Sequence, residues 1–163
     1  MRRVVTILLA SGAGERLDPL ARDQPLPLMP FGGTYRLIDI TLSHCINSGL
    51  NRIYVLTKYK ALSLHRHIRE AWNILTPELN QFIEAIPPTQ RLRNTWYLGT
   101  ADAAYQNIQS IENESAELAL IVSADRVYKM NYRYMVECHL EERADVTVAT
   151  PPRLHNMTDM LPA

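Results

Sequence analysis

The chain has 163 residues, 47% of them hydrophobic and 21% charged, and its acidic and basic side chains balance. This length allows one domain with a substantial core, and the composition excludes an intrinsically disordered chain. Zero net charge gives no reason to expect a nucleic-acid partner, and no apolar run reaches the ~20 residues of a membrane span.

Cys45 and Cys138 lie far apart in helical patterns, which favours core thiols in a reducing cytoplasm. His65 and His67 indicate a solvated helix face rather than a metal pair.

Short apolar runs alternate with segments of helical periodicity. The predicted strands are Val4–Leu9, Arg52–Leu56, Gln81–Ile86, Leu118–Val122 and Asp145–Ala149. The predicted helices are Tyr35–Ser48, Ser63–Ile74, Asp102–Ile111 and Tyr132–Arg143. This alternation predicts an α/β fold with a mostly parallel sheet and helices on both faces. Because ligands of such sheets bind at the carboxyl ends of the strands, the loops 10–16, 87–99 and 123–128 are expected along one rim.

The loop after the first predicted strand consists of small residues, Ser11 to Gly14, and Arg16 follows it. Small side chains allow several backbone N–H groups to approach an anion closely. The loop is neither a P-loop, because no Gly-Lys-Ser/Thr follows, nor a dinucleotide fingerprint, because the glycine spacing differs. On these residues alone, a phosphate-binding loop and an ordinary tight turn both remain open. Arg16 is correspondingly either a phosphate ligand or a surface arginine.

Three further motifs follow in order. They are Pro-Phe-Gly-Gly-Thr-Tyr-Arg-Leu-Ile-Asp at 30–39, Trp-Tyr-Leu-Gly-Thr-Ala-Asp-Ala at 96–103 and Ser-Ala-Asp-Arg-Val-Tyr-Lys-Met-Asn-Tyr at 123–132. Together with the loop at 9–17, they resemble the bacterial glucose-1-phosphate adenylyltransferase (ADP-glucose pyrophosphorylase) family over residues 4 to about 149. The resemblance implies a Rossmann-like nucleotidyltransferase sheet that is incomplete relative to the family. Residues 1–149 would be the N-terminal part of that domain, and 150–163 an irregular tail.

The family transfers the adenylyl group of ATP to glucose 1-phosphate for glycogen synthesis, giving ADP-glucose and pyrophosphate. The resemblance implies that Arg16 and Asp125 are catalytic and that Asp125 ligates Mg²⁺, a hard cation that prefers oxygen ligands. It also implies a nucleotide-binding set, which comprises Ala10, Ser11, Gly12, Ala13, Gly14, Gln90, Tyr97, Gly99, Thr100, Ala101 and Asp102. Without the family, Asp125 could equally be a strand-end cap and Gln90 a polar loop residue.

The chain departs from the family where phosphate charge is neutralised. The family's Arg-Ala-Lys-Pro is Gln24-Pro25-Leu26-Pro27 here, so Gln24 and Leu26 replace two cations. Losing one such contact typically costs ~10²–10³ in rate. We therefore expect this chain alone to make little or no ADP-glucose.

The family's sugar-phosphate pocket and second metal-binding aspartate lie beyond the resembling segment. The expected partners are ATP, glucose 1-phosphate through a largely missing pocket, and a second copy or a full-length subunit, but no nucleic acid or membrane. An incomplete sheet is also expected to expose apolar surface. Three interpretations stay open at this point: part of a cytoplasmic adenylyltransferase, a non-catalytic nucleotide-binding or subunit-docking paralogue, and a gene fragment.

Overall fold

The computed structural model describes residues 4–10, 24–57, 61–87, 97 and 99–150. The predicted site residues Ser11 to Gly14, Arg16 and Gln90 lie outside the described residues, as does most of the predicted tail. The strands are β1 (Val4–Ala10), β2 (Pro30–Phe31), β3 (Tyr35–Arg36), β4 (Arg52–Thr57), β5 (Phe82–Ile86) and β6 (Leu118–Ser123). The helices are α1 (Leu37–Asn47), α2 (Ala61–Ala71), α3 (Thr100–Gln106), α4 (Ile108–Asn113) and α5 (Tyr132–Glu141).

The main sheet has the order β5-β4-β1-β6, and every pair of neighbouring strands in it is parallel. This arrangement confirms the predicted α/β class and four of the five predicted strands. β1 and β4 are buried along almost their whole length, which explains why they read as unbroken apolar runs rather than alternating ones. β2 and β3 form a small antiparallel hairpin, whose turn contains Gly32 and Gly33 at positive φ.

The strand order places helices on both faces of the sheet. The crossovers β1-α1-β4 and β4-α2-β5 both advance toward the β5 edge, whereas the connection through α3 and α4 returns from β5 to β6 at the other edge. Since parallel crossovers are right-handed, opposite directions of travel put α1 and α2 on one face and α3 and α4 on the other. The predicted helices on both faces are therefore confirmed.

Side chains alternate between these two faces along β1. Val5 and Ile7 pack with Tyr97 and Ala103 in a hydrophobic cluster on the α3 face. Thr6 and Leu8 point to the opposite face and are fully buried, as are the inward-facing residues of α1 and α2, namely Ile38, Leu42, Cys45 and Leu64. No helix within the described part of the chain is long and apolar enough to cross a membrane.

The helix boundaries have identifiable causes. α1 begins after Arg36, whose backbone N–H donates to Asp39 Oδ2 at 2.7 Å and is thereby satisfied at the helix start. The single helix predicted over 102–111 is two helices, because the amide of Asn107 donates to Ala103 O at 2.8 Å and to Tyr97 Oη at 3.1 Å at the break. The buried side chain of Asn107 therefore interrupts the regular helix and links it to Tyr97 in the core.

The fifth predicted strand, Asp145–Ala149, is wrong. These residues have no strand structure, and the side chains of Val146 and Val148 are 78% and 73% exposed. Alternating apolar residues indicate a strand, but a strand also needs a neighbour to complete its hydrogen bonds, and no described residue pairs with this segment. Instead, Thr147 Oγ1 lies 2.9 Å from His139 Nδ1 of α5, within a separate compact unit over 132–163. Cys138 of this unit is exposed, so it is not the core thiol that was expected.

A charged network joins the start of β4 to the end of α4. Arg52 donates through Nη2 to both the carboxylate and the backbone carbonyl of Glu114 at 2.5 Å, and Tyr54 Oη donates to Glu114 Oε1 at 2.6 Å. Burial opposes ionisation of Glu114, but the bonds from Tyr54 and Arg52 outweigh it and hold the pKa of Glu114 below its ordinary value. The network therefore stabilises the fold more when Glu114 is charged than when it is protonated.

This network predicts acid-sensitive stability. Because the pKa of Glu114 is lower in the folded chain than in the unfolded one, its contribution is complete above the ordinary pKa of about 4.5 and is lost as the pH falls through the folded pKa. We expect Glu114→Gln to lower the free energy of unfolding by about 2 kcal/mol at pH 7 and by much less at pH 3. Urea unfolding at both pH values measures this, with the exposed Glu112→Gln as control. Equal losses at pH 7 and pH 3 would contradict the prediction.

Candidate active site at the carboxyl edge of the sheet

The structure brings the end of β1 and the residues after β6 together. β1 and β6 are neighbouring parallel strands in which Leu9 pairs with Ser123, and the Ala124 N–H extends the ladder by donating to Leu9 O at 3.0 Å. Asp125 follows directly, and Ala10 is the last residue of β1. The predicted metal ligand therefore lies beside the point where the chain leaves β1 toward the predicted phosphate-binding loop.

Asp125 presents an exposed carboxylate that one neighbour orients. The hydroxyl of Ser123 donates a short hydrogen bond to Asp125 Oδ1. Within the described residues, no other donor contacts this carboxylate. The described part of the chain also contains no group of three His, Cys, Asp or Glu side chains that could hold a metal ion. A cation at Asp125 would accordingly need most of its ligands from outside the described residues, for example from phosphate oxygens or water.

One face of α1 supports the segment that carries Asp125. Thr41 is fully buried and donates through Oγ1 to Ser123 O at 3.3 Å. One turn further on, the ring of His44 packs on Tyr128 with centroids 5.8 Å apart. Burial, and then the positive charge of Lys129, lower the pKa of His44, so this contact is made by a neutral imidazole at pH 7.

A second part of the predicted site lies at the start of α3. Gly99, Thr100 and Ala101 are exposed, and the Ala103 N–H donates to Gly99 O at 3.0 Å to begin the helix. Asp102 accepts a bond at Oδ2 from Gln106 Nε2 at 2.8 Å, one helical turn away. The exposed residues before Asp102 are thus accessible to a ligand, whereas the Asp102 carboxylate already accepts a hydrogen bond within the helix.

Tyr97 is a core residue in the structure. Its side chain is 3% exposed, packs with Val5 and Ile7, and accepts the bond from Asn107 described above. The buried ring therefore supports α3 and the motif at its start. A direct contact between Tyr97 and a nucleotide stays a prediction.

Arg36 contacts the turn in which Leu26 replaces the lysine of the resembling family. Leu26 begins a short 3₁₀ turn, Leu26–Leu28, in which Pro27 and Leu28 are buried. Arg36 reaches this turn and donates through Nη1 to Leu28 O at 3.4 Å. Sequence reasoning missed this placement, because nothing in the spacing of residues 26 and 36 shows that the β2-β3 hairpin folds the chain back between them.

A second contact missed from sequence connects α1 and α2. Asp39 is 7% exposed, and its Oδ1 accepts a bond from Trp72 Nε1 at 2.7 Å and lies 2.7 Å from His67 Nε2. His67 is therefore tied to a carboxylate and does not lie on a solvated face as predicted. The sequence gives no signal for this contact, because an acidic residue in the first turn of a helix is usually exposed.

The chain belongs to the nucleotidyl transferase family, whose model matches residues 5–157. Several of its relatives are named glucose-1-phosphate adenylyltransferase. The protein from Koribacter versatilis is 58% identical over 92% of this chain, and that from Rhodopirellula baltica is 53% identical over 91%. A Vibrio vulnificus protein, glucose-1-phosphate adenylyltransferase 2, is 46% identical over 91%. These matches cover 36%, 33% and 37% of the relatives, so the chain spans about a third of their length.

The placement of Tyr97 leads to a prediction that separates its two roles. We expect Tyr97→Phe to lower the free energy of unfolding by about 1 kcal/mol, because the buried amide of Asn107 loses an acceptor. Affinity for Mg·ATP should stay within twofold of wild type. Urea unfolding and isothermal titration calorimetry measure the two quantities, with the exposed Tyr105→Phe in α3 as control. A tenfold weaker affinity at unchanged stability would show a direct nucleotide contact instead.

Proposed function

We propose that this chain carries the nucleotide-binding part of a nucleotidyltransferase that makes ADP-glucose from ATP and glucose 1-phosphate. The observation that supports the proposal is the junction of β1 and β6, where Ser123 pairs with Leu9 and Asp125 follows Ala124, whose N–H donates to Leu9 O. Relatives 46–58% identical to the chain bear the name of this activity. The family resemblance implies that the acceptor sugar binds mainly to polypeptide beyond the matched segment.

The proposed reaction is a displacement at phosphorus. A phosphate oxygen of glucose 1-phosphate attacks the α-phosphorus of ATP, a new P–O bond forms, and the bond to the β-phosphate oxygen breaks to release pyrophosphate. No net electron transfer occurs. Catalysis of such steps depends on aligning the attacking and leaving oxygens and on stabilising the charge on the phosphates.

A divalent cation fits the donors at Asp125. The carboxylate is exposed at the rim and offers the hard oxygen atoms that Mg²⁺ prefers. Asp125 supplies one carboxylate to this site, and the ion would also bind oxygen atoms of the triphosphate. When bound, Mg²⁺ supplies charge neutralisation on the phosphate oxygens.

The chain's own residues would bind and orient the nucleotide around this point. Backbone N–H groups of Ser11 to Gly14 would donate to phosphate oxygens, and Arg16 would neutralise charge on the β- and γ-phosphates. The exposed residues Gly99 to Ala101 are accessible to the base and ribose, with Gln90 as an amide partner for the adenine edge. Arg36, which contacts the turn at Leu28, adds a cation near the position where the family has its lysine.

The chain is proposed to work in the cytoplasm, where its two free thiols would stay reduced. Burial raises the pKa of Cys45 to about 12, so this thiol is unreactive. Apolar surface is exposed at Ile121 on the edge strand β6. Such a face would be covered by a second copy or by a full-length subunit, and this association belongs to the proposal.

The binding role of Asp125 is tested by nucleotide-dependent stabilisation. A ligand that binds only the folded chain raises its melting temperature. We expect Mg·ATP to raise the melting temperature of the 163-residue chain by several degrees, and Asp125→Asn to abolish most of this shift. Differential scanning fluorimetry measures it, with the same substitution at the exposed Asp145 as control. An unchanged melting temperature with Mg·ATP, or an undiminished shift in Asp125→Asn, would overturn the proposal.

The missing cation at Leu26 gives a gain-of-function prediction. We expect Leu26→Lys to tighten binding of Mg·ATP about tenfold, because an ammonium group is placed near the triphosphate, and charge-assisted bonds are worth about 1.5–3 kcal/mol. Isothermal titration calorimetry measures the affinity. The control is Leu79→Lys, which adds the same charge to another 3₁₀ turn where Leu79 is exposed. Equal gains in both variants would indicate general charge attraction and contradict a specific site.

A further inference from the structure

We infer that Ser123 is a positioning residue, which holds the Asp125 carboxylate in the orientation that binds the metal–nucleotide complex. This inference rests on the proposed function, because it needs Asp125 to be the metal ligand. The observation is the hydrogen bond from Ser123 Oγ to Asp125 Oδ1. It fixes one carboxylate oxygen on the protein and leaves Oδ2 for a cation.

Ser123 suits this role because its own backbone is held from two sides. As the last residue of β6 it pairs with Leu9, and the following N–H, that of Ala124, donates to Leu9 O at 3.0 Å. From the α1 face, Thr41 Oγ1 donates to Ser123 O at 3.3 Å. The backbone of Ser123 is therefore fixed relative to both β1 and α1, and its hydroxyl holds the Asp125 carboxylate relative to the same two elements.

Among the described residues, Ser123 is the partner that orients Asp125. Asp125 lies beyond the end of the strand ladder and is exposed, and in the described part of the chain Ser123 supplies its only hydrogen-bond donor. An exposed carboxylate without a partner samples several side-chain rotamers, and ordering it on binding costs conformational entropy. The Ser123 hydroxyl removes part of this cost before the ligand arrives.

The inference is tested by binding of Mn²⁺, a spectroscopic substitute for Mg²⁺, together with ATP. Electron paramagnetic resonance measures bound Mn²⁺ on the full 163-residue chain, and thermal melting checks that each variant is folded. We expect Ser123→Ala to weaken Mn²⁺ binding about tenfold, as is typical when an outer partner of a metal ligand is lost. Ser123→Thr keeps the hydroxyl and should bind within threefold of wild type. Ser110→Ala, the same change in α4, should have no effect.

The outcomes separate this inference from the proposed function. If wild type binds no Mn²⁺ with ATP, or if Asp125→Asn binds it as well as wild type, the proposed function fails and the inference fails with it. If Asp125→Asn loses binding while Ser123→Ala keeps it, the proposed function stands and the inference alone is overturned. Equal weakening in Ser123→Ala and Ser123→Thr, or in Ser110→Ala, would also overturn it, because the hydroxyl would then not be the cause.

Discussion

The backbone hydrogen bonding of β1 on both sides is the constraint on which the rest of the structure depends. β4 pairs with one side of this strand and β6 with the other, in continuous parallel register. This double pairing fixes Ala10 at the rim, and it fixes Ser123 beside Leu9 although the two are far apart in sequence. The two faces of β1 then determine what packs above and below it, since Val5 and Ile7 meet the α3 side and Thr6 and Leu8 the other.

Sequence predicted the two central strands, β1 and β4, well because they are buried on both faces. A run such as Val4–Ala10 needs no knowledge of its partners to be read as a strand, since its apolar content alone requires burial. The same reasoning was wrong at Asp145–Ala149, where the pattern is present but no described strand pairs with it. Strand formation depends on a partner as well as on residue preference, and only the first kind of information is local.

The candidate site was predicted in part for a similar reason. Asp125 and the motif at Gly99–Asp102 could be proposed from sequence because each belongs to a contiguous pattern, and their roles stay predictions. The bonds of Asp39 with His67 and Trp72, and the Arg52–Glu114 pair, were not found, because their partners are 28 to 62 residues apart. Tyr97 shows what a sequence motif leaves undetermined. Its side chain is buried and accepts a hydrogen bond from the amide of Asn107, a contact that a motif does not specify.

The break at Asn107 has a consequence for motion. α3 has seven residues and α4 six, and helices this short do not persist on their own in water. α3 is therefore held mainly by the burial of Ala103 in its middle and by the Asn107 amide just after its carboxyl end. Its first turn, at Thr100 and Ala101, is exposed and would open by fraying without disturbing the sheet. We therefore expect the amides of this first turn to exchange with solvent faster than those of β1 and β6, and a ligand that contacts the turn would slow their exchange.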